Sequence, residues 1–220
     1  MTALYTLIPL LCLTVSPLVW ARLTDKRRLE YVSKPASTLL VIAVALLSLL
    51  QAGAQPAYSW AIGLGLLLSL GGDVSLMLRT KRWFLIGLVL FLLAHVVYAV
   101  AFTAPSGFHV GDWAVGGVLL VVGVATLAYL RPGLDRMAGP VLIYTLVILF
   151  MVNRAISTHF GSYFTSSQAW LVTIGAILFM LSDVLLAVNR FRRPFKAEPF
   201  GLFLYYGGQL LIALSTWHFA

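Results

Sequence analysis

Two aspartates carry the chemistry in this chain. Asp73 lies in SLGGDVSLML and Asp183 in LFMLSDVLLAV, both inside long apolar segments nearly free of other charge. A carboxylate in a membrane helix costs roughly 2.5–3.5 kcal/mol even on insertion scales, unless it is paired, hydrated or protonated. Two at matching positions in two helices form a candidate acid–base pair. Polar residues of the neighbouring apolar segments would complete the site, with His95 and Gln209 several ångströms deeper than the aspartates on a helical rise of ~1.5 Å per residue. Phe91, His95 and Tyr98 follow at spacings of four and three, which places them on one helical face. Tyr205 and Gln209 are four apart and also share a face, with Tyr206 beside them. Lys34 can snorkel to headgroups or reach inward to a carboxylate. Tyr144 and Asn153 lie in a further apolar segment, and Ser182 precedes Asp183. Each has a plainer reading, as an interfacial tyrosine, a hydrogen-bonded structural histidine or a structural Lys34–Asp ion pair. His95 with two carboxylates lacks the spacing of a strong zinc motif, so no metal and no cofactor is expected.

The elements that must position these residues are membrane helices. Of the 220 residues 61% are apolar and only 10% charged, and the mean hydropathy is +0.97. A soluble domain carries about 25% charged residues. Eight apolar runs approach the ~17–25 residues that cross a bilayer. They cover about 4–22, 37–51, 58–78, 83–102, 113–130, 139–156, 167–188 and 200–219. The second is short and needs residues from its flanks. The expected fold is a single all-α integral membrane domain over 1–220, an eight-transmembrane-helix bundle. MTALYTLIPL has no positive n-region, so the first run reads as a span rather than a signal peptide. The single cysteine, Cys12, allows no disulfide framework or thiolate metal site within one chain.

The net charge of +8 sets orientation rather than partner class. Fourteen of fifteen basic residues fall in the loops after runs 1, 3, 5 and 7, among them Arg22, Arg79, Lys81, Arg131, Arg190 and Lys196. Only Arg154 lies toward the other side. The positive-inside rule makes the basic face cytoplasmic and both termini extracytoplasmic, in an inner cell membrane. Contact with anionic lipid accounts for the charge, and no nucleic-acid partner is expected. GAQPA and TAPSGFHVGD read as outer loops, RPGLDRMAGP as an inner turn, and KAEP as the turn before the last span. Asp73 precedes Arg79 by six residues and Asp183 precedes Arg190 by seven. At ~1.5 Å per residue both lie roughly 9–10 Å inside the basic face. Half the chain's length separates the two aspartates, which suggests a 4+4 parallel repeat about an axis along the membrane normal.

The motifs GGDVSLML, FLIGLVLFLLAHVVYAVAF, GAILFMLSDVLLAVNRF and LYYGGQLLIALS occur in this order between about Lys34-Pro35 and Ser215. In order and spacing they resemble the YhhN family, bacterial relatives of the transmembrane lysoplasmalogenases. The resemblance implies eight spans and hydrolysis of the vinyl ether bond of a lysoplasmalogen, a lysophospholipid. The products would be a fatty aldehyde and a glycerophospho-alcohol. It assigns the functional carboxyls to Asp73 and Asp183. The recurrent polar positions match Lys34, His95, Tyr98, Tyr144, Tyr205, Tyr206 and Gln209, and Asn189 and Phe191 fit the segment after the second aspartate. Arg154 matches no family pattern.

Vinyl ether hydrolysis would ask for two carboxyls in different states. One protonates the alkene carbon β to oxygen, and the other stabilises the oxocarbenium ion and orients water. Burial disfavours a carboxyl's charged form, and a neighbouring carboxylate disfavours it further. Glycosidases meet a similar cation with two carboxyls. The rival expectation is a proton-coupled transporter of a small amphiphile that uses the aspartates as a relay. A non-catalytic lipid-binding protein is a third. Neither the order of acid and base nor the oligomeric state is specified by the sequence.

Overall fold

The computed structural model describes residues 2–78, 80–194 and 198–217. Arg79 and Lys196 of the basic loops lie outside the described residues. Eight helices follow one another: α1 (Thr2–Leu23), α2 (Arg27–Leu47), α3 (Pro56–Met77), α4 (Lys81–Ser106), α5 (Gly111–Leu130), α6 (Ala138–Ser157), α7 (Ser166–Phe191) and α8 (Gly201–Leu214). Short 3-10 turns at Ser48–Leu50, Arg131–Gly133, Asp135–Met137 and Glu198–Phe200 complete the description.

The helix ends follow from local chemistry. Pro56 begins α3, where its missing N–H costs nothing. The Thr80 side chain accepts from the Trp83 N–H at the start of α4. Thr165 and Gln168 form a capping box on α7. Gly107, at φ +72°, closes α4 in a conformation that favours glycine.

Among the described residues, six helical stretches are long and apolar enough to cross a membrane: Arg27–Leu50, Pro56–Met77, Lys81–Ser106, Gly111–Gly133, Asp135–Ser157 and Ser166–Phe191. Pro9–Leu23 and Gly201–Leu214 are shorter apolar helices. Trp60, Leu67, Val89, Val100, Val118 and Val121 stand exposed around the bundle, as lipid-facing residues should. The chain is a multi-pass membrane protein. Several boundaries differ from the sequence expectation, among them the end of α8, at Leu214 rather than 219. The second helix starts at Arg27, ten residues before the expected 37, so Lys34 and Pro35 sit two turns inside it rather than at its mouth. Its first turns are amphipathic, with Glu30, Ser33 and Lys34 buried, so the apolar run begins later than the helix. The fourth helix runs on to Ser106 and α5 begins at Gly111, which shortens the expected outer loop to four residues.

The bundle is built from tight neighbours. α3 packs along α4, α7 along α8, α1 along α2 and α2 along α3. α4 and α5 both rest on α6, and α2 meets α8. One apolar core runs through Ile62, Leu66, Ala94, Phe102, Val172 and Phe179. Small residues permit the closest crossings. A Cβ on Gly65 would run into the Tyr98 ring, and one on Gly175 would lie 2.9 Å from the Gly208 carbonyl.

At the end of the bundle remote from the basic loops, Arg154 is fully buried. Its guanidinium donates to Thr103 Oγ1 at 2.9 Å, Asp112 Oδ2 at 2.5 Å, Ser157 Oγ at 2.9 Å and the Gly107 carbonyl. The Phe108 ring covers it at 4.4 Å. Asn153 donates to the Asp112 carbonyl at 2.8 Å. These contacts tie α4, α5 and α6 together, which gives Arg154 a structural role and places Asn153 away from the aspartates.

Arg154→Met should destabilise the protein by about 3–5 kcal/mol, because it strands the Asp112 carboxylate. Thermal unfolding in detergent would register this as a large drop in midpoint. Gly65→Ala should lower the midpoint too, through the ~1–3 kcal/mol cost of an overpacked core. Gly117→Ala, whose Cβ meets nothing within 4 Å, should leave it unchanged.

Candidate active site

Asp73, on α3, is held from two other helices, α2 and α8. Its side chain is almost fully buried, and Oδ1 lies 3.1 Å from Lys34 Nζ on α2. One turn beyond Lys34, Thr38 Oγ1 donates to Asp73 Oδ2 at 2.7 Å. The Tyr205 hydroxyl on α8 donates to the same oxygen at 2.8 Å. Tyr206 supports this arrangement from behind. Its hydroxyl donates to the Lys34 carbonyl at 3.0 Å and lies 3.3 Å from Thr38 Oγ1. Gln209 Nε2 donates weakly to the Tyr205 hydroxyl at 3.5 Å, and its carbonyl accepts from Tyr98 at 2.8 Å. The line Tyr98–Gln209–Tyr205–Asp73 is thus continuous from α4 through α8 to α3. Two hydroxyl donors and an ammonium on one carboxylate offset the cost of burying it.

Asp183 has a different setting. Its Oδ2 accepts from the Tyr144 hydroxyl on α6. His95 Nε2 on α4 stands 3.8 Å from the same oxygen, beyond hydrogen-bond reach. The His95 ring is fully buried, packed on Phe179 at 4.6 Å and edge-on to Tyr144 at 5.4 Å. Neither of its nitrogens has a hydrogen-bond partner among the described residues. Asp183 is the more open of the two carboxyls, with 14% of its side chain exposed against 2% for Asp73.

Both carboxyls open into one cavity of about 440 Å³. Lys34, Phe91, Ser182 and Tyr205 line its depth, and Arg22, Glu30 and Arg190 line its mouth among the basic loops. Arg22 Nη1 is paired with Glu30 there at 3.0 Å. Asp183 also lines a second, apolar cavity of about 80 Å³ between α4, α5, α6 and α7, with Gly123, Thr126, Thr145 and Leu149. The carboxyl therefore stands at the junction of a polar chamber and an apolar groove. Among the described residues, no three His, Cys, Asp or Glu side chains come together as a metal site would require.

Of the residues singled out in the sequence, Lys34, Tyr205, Asp73 and Asp183 meet at the cavity. Tyr144 and His95 flank Asp183, whereas Tyr98, Tyr206 and Gln209 support Asp73 from one layer back. Thr38 was missed. Its signal was its position one turn after Lys34 in the same helix, but a threonine in an apolar run reads equally well as a residue bonded to its own backbone. Thr38 does both, since Oγ1 also reaches the Lys34 carbonyl at 3.2 Å.

Comparison with known proteins gives a consistent picture. The chain is 33% identical over 163 residues to lysoplasmalogenase TMEM86A of Bos taurus, covering 70% of this chain and 64% of that protein. It is 31% identical over 199 residues to a lysoplasmalogenase homolog of Dictyostelium discoideum, covering 74% and 64%. With lysoplasmalogenase TMEM86B of Homo sapiens it shares 33% identity over 138 residues, covering 60% and 54%. The chain thus spans just under two thirds of the length of the first two relatives. No solved structure matches it. The YhhN family model matches residues 29–216, from the first turn of α2 to beyond the end of α8 and across the helices that carry Lys34, Asp73, Asp183 and Tyr205, and the chain belongs to the YhhN family.

Proposed function

We propose that the protein is an intramembrane hydrolase that cleaves the vinyl ether bond of a lysoplasmalogen, releasing a fatty aldehyde and a glycerophospho-alcohol. The observation that carries this reading is the position of Asp183 between a polar chamber shared with Asp73 and an apolar groove. A single-chain amphiphile fits that division. The first carbons of its alkenyl chain lie in the groove between α4, α5, α6 and α7, the rest of the chain runs on toward the lipid, and its phosphate lies toward Arg22 and Arg190 at the chamber mouth. The vinyl ether then falls beside the carboxyls, where α2, α3, α7 and α8 meet. The names of the relatives, a lysoplasmalogenase and a lysoplasmalogenase homolog, support a lysoplasmalogen as the substrate.

Two carboxyls supply the acid and base that the reaction needs, and general acid–base help contributes roughly 10²–10⁴-fold. Lys34, Tyr144, Tyr205 and His95 position the carboxyls and the water, with Tyr98, Tyr206 and Gln209 behind them. α1 and α8 complete an eight-span bundle in the inner cell membrane, with the basic loops and the chamber mouth facing the cytoplasm.

Purified protein in detergent, given a lysoplasmalogen, should release aldehyde without any gradient. A proton-coupled transporter would release none. Asp73→Asn and Asp183→Asn should each lower aldehyde release by at least about 10²-fold while the protein stays folded. Unchanged release in both variants would overturn the two-carboxyl reading. Thr145→Trp, which fills the groove, should shift preference toward short-chain substrates by about tenfold. That corresponds to the loss of about two buried methylenes at ~0.8 kcal/mol each. An unaltered chain-length profile would place the chain elsewhere.

A further inference from the structure

The interval that separates the two aspartates also relates their partners. From Asp73 to Asp183 is half the chain's length. The same interval leads from Lys34, paired with Asp73, to Tyr144, which donates to Asp183. It leads again from His95, beside Asp183, to Tyr205, which donates to Asp73. The packing follows the same interval. α3 lies along α4 as α7 lies along α8, and α2 meets α8 as α6 meets α4. The tightest crossings correspond as well. Gly65 lies under Tyr98 in one half and Gly175 against Gly208 in the other, and both members of the pair are shifted by that interval.

We infer that the chain is a tandem repeat whose two aspartate half-sites have diverged, leaving Asp73 with Lys34 as the standing carboxylate and Asp183 with Tyr144 and His95 as the proton donor. The inference deepens the vinyl ether reading by assigning the acid and the base within it.

The divergence lies in three substitutions between the halves, one of which gives Ile148 where Thr38 donates to Asp73. Where one half has the Lys34 ammonium, the other has the neutral Tyr144 hydroxyl. Where one has a bonded Tyr205 hydroxyl, the other has His95 at 3.8 Å, outside bonding distance. A proton on Asp73 would break the ion pair and leave one of its donors without an acceptor. The groups that face Asp183 are Tyr144 from α6 and His95 from α4, with Asp73 and Lys34 across the shared chamber. On its own helix, Arg190 also lines the chamber, but its guanidinium sits over the Phe84 ring at 4.8 Å. Among the described residues no lysine or arginine makes an ion pair with Asp183. A second carboxylate with no cation beside it in a buried chamber is the costly state, so the resting site holds one proton, on Asp183.

The reaction then balances. Asp183 gives its proton to the alkene carbon β to oxygen, and the π pair forms the new C–H bond. The oxocarbenium ion and the Lys34 ammonium are now matched by two carboxylates. Water adds to the cation and passes a proton to Asp73 as the C–O bond forms. The hemiacetal hydroxyl returns a proton to Asp183, the bond to the glycerol oxygen breaks, and Asp73 gives its proton to that oxygen. One water is consumed and both carboxyls return to their starting states.

The test reads the proton directly and needs no substrate. Infrared spectra of the purified protein at neutral pH should show a protonated-carboxyl C=O band. Asp183→Asn should remove it, Asp73→Asn should retain it, and Asp183→Glu should shift its frequency. Lys34→Met should add a second such band, since Asp73 loses its cation. A band lost in Asp73→Asn and kept in Asp183→Asn would overturn the assignment, as would spectra that none of these substitutions alters. Bands that behave as stated in a protein that releases no aldehyde would sink the vinyl ether reading and leave the assignment of the two half-sites intact.

Discussion

The contact between Lys34 and Asp73 sits inside an apolar bundle, where an unmatched carboxylate or ammonium costs several kcal/mol. The pair therefore dictates where its neighbours go. α2 must bring Lys34 and Thr38 to α3, and α8 must bring Tyr205 to the same carboxylate. Tyr206 then secures the backbone of α2 by donating to the Lys34 carbonyl. Helices near opposite ends of the chain are thereby joined at one buried charge. The requirement is local chemistry, and its consequence is the closure of the bundle around a chamber.

The two ends of the bundle treat buried charge differently. At one end Arg154 donates four hydrogen bonds, to Thr103, Asp112, Ser157 and the Gly107 carbonyl. At the other end the chamber joins charged groups to an apolar groove, and among the described residues His95 finds no partner for either nitrogen. Buried polar groups left unpaired in a well-packed region are expensive. Among the described residues they occur at both ends, at His95 beside Asp183 and at Ser106 Oγ and Asp112 Oδ1 near Arg154.

Much of this was readable from residue types. Charge scarcity gave the membrane class, and the basic loops gave a common depth for the two aspartates. Spacings of three and four put Phe91, His95 and Tyr98 on one face, and the close approach of Tyr98 to Gly65 and of Phe91 to Gly72 follows from that face. The start of α2 was not readable, because a hydropathy window averages Glu30 and Lys34 with their neighbours and reports a loop. Their burial depends on partners in other helices, Arg22 and Asp73. Thr38 and Arg154 escaped for the same reason. A polar side chain's role is set by what faces it, and that information lies dozens of residues away. Family likeness supplied the vinyl ether, which no spacing in the chain encodes.

The central claim is that Asp73 and Asp183 act on one bound amphiphile across a shared chamber. An experimental structure with a saturated alkyl-ether lysophospholipid, which binds but offers no alkene to protonate, tests it most directly. The account places the ether oxygen and its first chain carbons between the two carboxyls, the alkyl chain in the groove beside Thr126 and Thr145, and the phosphate near Arg190. A ligand bound elsewhere, or carboxyls separated by packed side chains with no room for the ether between them, would contradict it.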